Sequence, residues 1–531
     1  MSDKVKYLLI ISLLISLIII PKIAFYENGI HDSFSYSNTA LAQTALNDEG
    51  IELSPYENAG NSINRHANGW SVRWVVTSSI ASISLVTGLS PRELQSLPIC
   101  AIGIIIMAYL VASKLTNDWR LAGFYTVMIA FDPTVNSLTN GTYIQGWGFI
   151  FYFMLIYLLL IIVERKHYLA LMKKDEHYKP FLLYGSLAAC SFVMMFYTYY
   201  SALVYGAIMV AVVAGGILFA STGKSLSKKR VAIFILLLAI AFVSLYFVED
   251  TVRFAVSNFS GWFGTFIGYA SDVIVAGGMR FYIGLLSYIL IFIPIGLLAY
   301  RWLCILFKTR KLPAMTSEDL FISAILATGL VNLVMYAGLG LVDFKYFIMF
   351  FSLSALYAVG RLHWSDFSTS QISLRNIPVK QIFALALAML FILKFAAYIA
   401  PIVTEDNINK NDSMKWLSEN CLYSGTDCIS DLGVSGEIML LQVEKGNSEF
   451  NSLIYSDYYL TSLVSGNESE FLRANGDITF LIMTESNMDG HFNIGNWETW
   501  ESDVSPVDII SYHPNLQRIY SSSELTVWRI Y

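Results

Sequence analysis

The stretch YLLIISLLISLIIIPKIAFYENGIHDSFSY, residues 7–36, changes abruptly from an apolar run to a polar segment with several aromatic side chains. Residues 7–21 approach the length that crosses a bilayer as a helix. The polar part that follows directly contains Glu27, His31 and Asp32. Ionisable residues beside a bilayer are costly unless they pair or reach water, so this segment is a candidate functional site. What it can do depends on the side of the membrane on which it lies.

The composition predicts an α-helical multi-pass membrane protein. Of 531 residues, 55% are hydrophobic and only 14% are charged, which is too apolar for a soluble chain of this length. About 11 segments have the length and apolarity of spans. They are centred on residues 7–21, 97–113, 121–135, 146–163, 181–198, 202–220, 231–248, 281–300, 319–340, 346–360 and 382–400. A net charge of −6 excludes the basic face that nucleic acid requires, and leaves membrane lipids as the expected surroundings.

The basic residues predict the orientation. Lys and Arg near span ends stay in the cytoplasm, and a cytoplasmic N-terminus places more than half of the 34 basic residues in inner segments. The clusters at 165–179 and 224–230 are among them. We therefore expect a cell-membrane protein whose first long loop, residues 22–97, and whose C-terminal part lie outside the cytoplasm.

Two segments allow another reading of this topology. Residues Ser71 to Gly88, SVRWVVTSSIASISLVTG, are almost apolar enough to cross, but crossing would invert the charge pattern of every later loop. We interpret them as a helix in the outer interface, with Arg73 and serines on its wet side. The N-terminal run is interpreted as a retained span; the alternative is a signal peptide cleaved after the ALA at Ala40 to Ala42.

Residues 1–401 form the predicted membrane domain, and residues 402–531 have the composition of a small extracytoplasmic α/β domain. DITFLIMT and ELTVWRIY are typical of strands, and NDSMKWLSEN is typical of a short helix capped near Asp412 or Ser413. Cys421 and Cys428 lie close together in this domain, where an oxidising compartment favours a disulfide over two thiols.

Several outer segments contribute further candidate residues. The turn at 132–147 carries Asp132 and Gln145, and a long outer loop ends at Arg280. Lys345 lies at the outer mouth of a late span, where it is either functional or extends to the interface. His66 follows in the first loop, within RHANGWSVRW.

This layout resembles the GT-C glycosyltransferases, membrane enzymes that transfer a sugar from a polyprenyl-phosphate carrier. HDSFSY stands where the protein mannosyltransferase and aminoarabinose transferase branches have an acidic pair, and His31 replaces one member of that pair. RHANGWSVRW stands where those branches have a His-Pro-Pro stretch, and Gln145 stands near their second carboxylate, with Asp132 the nearest acid. The oligosaccharyltransferase motif Trp-Trp-Asp-Tyr-Gly does not occur in the sequence, which argues against that branch.

The resemblance implies a polyprenyl (dolichyl)-phosphate sugar donor and a glycan, lipid or protein acceptor. Transfer to a hydroxyl needs a base, for which Asp32 is the first choice and Glu27 the second, with His31 as a hydrogen-bond partner. Lys345 or Arg280 is suited to the departing phosphate. No cofactor is certain; a divalent cation held by the acids is a candidate, although no metal-ligand spacing occurs.

Other interpretations remain open at this stage. Asp32 suits the N-cap of a helix over SFSYSNTALAQTAL. A lipid-linked saccharide transporter or flippase would carry charges or broken helices at the bilayer midplane, where this sequence shows little besides Lys394. A non-enzymatic scaffold that presents the C-terminal domain would not need the loop acids.

Overall fold

The computed structural model describes the chain in blocks. These are residues 33–47, 74–97, 99–130, 144–165, 178–198, 200–220, 293–301, 316–338, 344–361, 406–422, 427–430, 434–445, 454–475, 478–484, 510–522 and 525–531, with short gaps inside some blocks and scattered residues elsewhere.

Three helices of the first loop are described. They are α1 (Ser33–Asn47), α2 (Trp74–Thr87) and α3 (Pro91–Ser96). Helix α2 covers most of the predicted interfacial segment, and its 14 residues span about 21 Å, which is less than a bilayer core. The Ala40 to Ala42 stretch lies inside α1 and is buried, so the alternative of cleavage there is not supported.

Seven of the predicted membrane segments are helical in the described part of the chain. They are α4 (Ile99–Thr116), α5 (Trp119–Ala130), α6 (Ile144–Glu164), α7 (Tyr178–Phe196), α8 (Tyr200–Ala220), α9 (Ser317–Gly338) and α10 (Phe344–Arg361). Among described residues, Pro91–Thr116 and Gln145–Glu164 are each long and apolar enough to cross a bilayer. The other four segments fall wholly or largely outside the described residues, so the count of 11 spans stays a prediction.

Small residues let these helices approach closely. A Cβ added at Gly329 of α9 would lie 2.9 Å from the Phe351 ring of α10 and 3.1 Å from the Phe350 Cβ. Close approach through small residues is typical of helix packing in membranes, where van der Waals contact replaces the hydrophobic effect. Helices α9 and α10 therefore lie nearly backbone to backbone at this point.

The two ends of the bundle carry different groups, with charged residues at one end and the first-loop helices at the other. At one end, Lys114 pairs with Glu164, which joins the last turns of α4 and α6. Arg301 donates to the backbone carbonyl of Arg361 over 3.1 Å at the end of α10, which also packs against α5. The opposite end carries the first-loop helices, since the Val75 amide of α2 donates to the Tyr197 carbonyl after α7 over 3.4 Å.

The C-terminal domain is built on a five-stranded mixed sheet in the order β2-β1-β3-β5-β4. The strands are β1 (Asp427–Ser430), β2 (Ile454–Tyr455), β3 (Ile478–Thr484), β4 (Leu516–Ser521) and β5 (Leu525–Ile530). Its helices are α11 (Asp406–Asn420), α12 (Ser435–Glu444), α13 (Ser456–Ser465) and α14 (Glu468–Asn475). Strands β1, β2 and β3 are parallel, whereas β5 is antiparallel to β3 and β4.

Two expectations for this domain need correction. Helix α11 begins at Asp406, so Asp412 and Ser413 lie inside the helix and not at its cap. Cys421 and Cys428 are thiols in the structure, and the predicted disulfide is not formed. Both side chains are buried in one apolar cluster, and burial raises the pKa of the Cys421 thiol to about 11. A buried thiol with a raised pKa seldom forms the thiolate that disulfide formation needs.

The close approach of α9 and α10 leads to a stability prediction. Gly329→Ala should lower the free energy of unfolding by about 1–3 kcal/mol, because the new methyl group overpacks against Phe351. Gly185→Ala is the matched control, since its Cβ would lie 3.9 Å from the Phe181 ring in ordinary contact. Thermal unfolding in detergent compares the two, and equal midpoints would contradict the packing described here.

The contrast between the two bundle ends leads to a topology prediction. In a variant whose native cysteines are replaced by alanine, Arg165→Cys should resist an impermeant maleimide in sealed cells, because it lies at the end rich in basic residues. Tyr512→Cys, at a C-terminal position that is 86% exposed, should react at once. Labelling at position 165 before permeabilisation would contradict the predicted orientation.

Candidate active site at the bundle end that carries the first-loop helices

Four aromatic side chains form a buried layer between three helices. Phe149 and Tyr152 come from α6, Tyr205 from α8 and Phe350 from α10. The Phe350 ring lies 5.3 Å from Tyr205, 5.7 Å from Tyr152 and 6.1 Å from Phe149, mostly edge to face. Edge-to-face pairs at such distances stabilise beyond the area they bury. We call these four residues the aromatic layer.

The aromatic layer fixes the relative depth of two predicted site residues. Gln145 precedes Phe149 by four residues on α6, and Lys345 precedes Phe350 by five residues on α10. At 1.5 Å per residue their backbones lie about 6 and 7.5 Å beyond the layer. Helices α6 and α10 run in the same direction, because both end among the basic residues. The two positions are therefore level with each other, on helices that meet through these aromatic rings.

Gln145 has an unsatisfied polar atom. Its Oε1 is buried and accepts no hydrogen bond from the described residues. Buried polar atoms are normally paired, so an acceptor that is left over at a helix end is suited to a ligand donor. The Lys345 backbone lies in the first turn of α10, and its side chain lies outside the described residues.

Trp147 connects this end of α6 to the first loop. Its side chain packs against the bundle core and also against a second apolar cluster of Ala42 from α1, Val76, Ile80 and Ala81 from α2, and Leu94 from α3. The Thr39 hydroxyl donates to Gln95 Oε1 over 3.2 Å, which fixes α1 to α3. Helix α1 is thus held against the bundle end that carries Gln145 and Lys345.

Helix α1 begins at Ser33, directly after Asp32. Ser33 lies nine residues from Ala42, about 13 Å along the helix axis. This start confirms the predicted helix over SFSYSNTALAQTAL. The sequence therefore supports Asp32 as the N-cap of this helix as directly as it supports Asp32 as a base. Glu27, His31, Asp32, His66, Asp132 and Arg280 all lie outside the described residues, so their roles stay predictions.

Some contacts at this end were not predicted. Arg92 of α3 forms a bidentate ion pair with Glu444 of α12, with Nε to Oε1 at 2.8 Å and Nη2 to Oε2 at 2.9 Å. Asn332 of α9 donates to the Tyr205 hydroxyl in the aromatic layer. The sequence SPRELQS signals the capping box of Ser90 and Glu93 at α3, but nothing local in it points to a partner 352 residues away.

The described residues hold no group of three or more His, Cys, Asp or Glu suited to a metal ion. The acids predicted to bind a divalent cation, Glu27, Asp32 and Asp132, lie outside them. A cation at this site therefore stays a prediction, and the chemistry considered below does not pass through one.

Comparison by sequence matches no protein-family model and no curated protein. By structure, the chain is similar to the apo oligosaccharyltransferase of Archaeoglobus fulgidus, with a TM-score of 0.55 and 11% identity over 91% of this chain and 70% of that one. It is also similar to ArnT from Cupriavidus metallidurans bound to undecaprenyl phosphate, with a TM-score of 0.50 and 8% identity over 99% of this chain and 98% of that one. The zinc and sulfate complex of the oligosaccharyltransferase matches with a TM-score of 0.47 and 13% identity, over 88% and 68% of the two chains.

These likenesses confirm the GT-C fold that the sequence resembles, and with it a multi-pass membrane architecture. At such low identity they concern the fold alone. Because two GT-C branches match over nearly the whole chain, the fold does not select between them.

Proposed function

We propose that this GT-C chain is a glycosyltransferase that moves a sugar from a polyprenyl-phosphate carrier to an acceptor hydroxyl on the outer membrane face. The observation that best supports this proposal is the level placement of Gln145 and Lys345 beyond the aromatic layer. Both residues were predicted from the sequence. Both lie at the bundle end against which α1, the helix that follows Asp32, packs.

The proposed reaction assigns one task to each group. Asp32 accepts the proton of the acceptor hydroxyl, whose oxygen forms a bond to the anomeric carbon of the donor. The bond from that carbon to the carrier phosphate breaks, and the phosphate leaves with the electron pair. Lys345 or Arg280 stabilises the negative charge that develops on it. Gln145 Oε1 accepts a hydrogen bond from a sugar hydroxyl.

The bundle core favours an enzyme over a transporter. Among the described residues of its membrane helices, Asp319 is the one charged side chain that is buried, and it lies in the first turn of α9 and not at mid-helix. A lipid-linked saccharide transporter would be expected to place charges near the midplane. In the described membrane helices the acidic and basic residues lie near the helix ends instead.

Replacing Asp32 tests the base and separates it from a helix cap. Asn is as good an N-cap as Asp but cannot accept the proton, so Asp32→Asn should lower kcat by roughly 10²–10⁴-fold while folding persists. Sugar transfer by purified protein from a polyprenyl-phosphate donor is the measurement. Asp118→Asn is the matched control, because Asp118 Oδ1 caps the Arg120 amide over 2.8 Å at the other bundle end. If Asp32→Asn keeps full activity, Asp32 is not the base and its only remaining role is that of an N-cap.

Replacing Lys345 tests the phosphate contact. Lys345→Ala should raise the KM for the donor roughly 10–100-fold, the loss expected for a hydrogen bond to a charged group worth about 1.5–3 kcal/mol. Lys345→Arg keeps the charge and should retain most of the affinity. Lys114→Ala removes a lysine from the opposite end and serves as control. If Lys345 merely extends to the lipid interface, all three variants will bind donor like the wild type.

A further inference from the structure

Helix α1 is buried over more than one face, although Asn47 at its end is exposed. Ala40, Leu41 and Ala42 are consecutive and all buried, although successive residues of a helix point about 100° apart. A helix that packs on one surface alone buries one stripe. Helices α2 and α3 cover part of α1, and α12 of the C-terminal domain lies along it as well.

Helix α12 has two faces with different partners. Val434 and Ile438 belong to the cluster that packs on the sheet, and Gln442 on the same face donates to Cys428 Sγ of β1 over 3.7 Å. A second face carries Glu437, Leu440 and Glu444, which recur at spacings of three and four residues. Leu440 is fully buried yet outside the sheet clusters, and Glu437 is only 3% exposed.

The second face is fixed at its end by the ion pair to α3. The Arg92 guanidinium meets both carboxylate oxygens of Glu444, a fork geometry that orients as well as attracts. Helix α3 is itself ordered by its capping box and by the bond between Gln95 and Thr39. The ion pair thus links α3 to α12, and both of these helices contact α1. Two of the three helices come from the first loop and one from the C-terminal domain.

The C-terminal end of α12 is anchored in its own domain too. Lys445 Nζ donates to the Leu422 carbonyl over 3.0 Å and also to the Ser418 carbonyl, which ties α12 to the end of α11. The end of α12 is therefore held by the rest of its domain and does not fray as a single helix would. The domain can hold α1 as a rigid body.

We infer that Arg92 and Glu444 are positioning residues that hold α1 against the bundle end that carries Gln145 and Lys345, and that the C-terminal domain thereby takes part in the active site. This inference rests on the proposed function. A base must meet its proton within hydrogen-bond reach, and a misplacement of about 1 Å can cost 10²-fold in rate. Burial of α1 over more than one face provides that precision, because α1 leads directly out of the Asp32 segment.

A charge-reversal cycle tests the inference. Arg92→Glu and Glu444→Arg each place like charges together and should lower kcat at least fivefold, with an unchanged KM for the donor. The double variant restores an attractive pair with opposite polarity and should recover to within twofold of the wild type. Lys114→Glu, which breaks an ion pair at the opposite end, is the matched control and should leave kcat unchanged.

Amide hydrogen exchange over residues 39–47 gives a second measurement that needs no activity. Exchange in α1 should accelerate in both single variants, return to normal in the double variant and stay unchanged in Lys114→Glu. Single variants whose exchange accelerates while kcat stays within twofold of the wild type would overturn the positioning role. So would unchanged exchange in the single variants.

The two proposals fail in different ways. Absence of transfer by the wild type with polyprenyl-phosphate donors counts against the proposed function, whatever the exchange pattern shows. If the single variants lose kcat and the double variant does not recover it, the result counts against the positioning role of the Arg92 and Glu444 pair, whichever donor is used.

Discussion

The contact between Phe149 and Phe350 is the interaction on which the geometry of the candidate site depends. It lies between two helices that carry site residues about one turn further out, and it joins them without any polar partner. In a bilayer such a contact gains nothing from exclusion of water, so shape and ring geometry must supply the stabilisation. Four aromatic rings at one level meet this requirement, and they set the depth at which a donor would meet the protein.

The placement of α1 follows from a different constraint. Its buried apolar residues Ala40, Leu41 and Ala42 point in different directions, and exposing them would cost apolar burial of about 25 cal/mol per Å². Helices α2 and α3 cover part of α1, and α12 covers a further part. The described helices of the first loop therefore pack with the C-terminal domain, although the two lie far apart in the sequence.

Local patterns predicted the elements well. The helices in seven of the predicted membrane segments, the helix after Asp32, the helix at 74–87 and strands β3 and β5 lie where apolar length, capping residues and β-branched content place them. The start of α11 was predicted too late, because Asp412 and Ser413 are good caps but the preceding residues continue the helix. The disulfide was predicted from compartment and spacing alone. The burial of the two thiols depends on the packing of α11 and α12 on the sheet, which spacing does not contain.

Contacts between distant segments escaped prediction for the same reason. The sequence around Arg92 shows a capping box and nothing more, and Glu444 stands at the end of an ordinary amphipathic helix. Their meeting requires the sheet, α12 and the first loop to be assembled already. Gln145 was predicted from its place near the second carboxylate of the family that the sequence resembles, and no local pattern indicated that its side-chain oxygen would be buried without a hydrogen-bond partner among the described residues.

The likeness to two GT-C branches clarifies what the fold contributes. Identities of 8% and 11% leave the fold in common but few individual side chains. The fold can therefore account for the arrangement of the helices. The groups that the proposed reaction needs must come from local sequence. HDSFSY at residues 31–36 combines the two contributions: it contains Asp32, the proposed base, and within the same few residues begins the helix that α2, α3 and α12 cover.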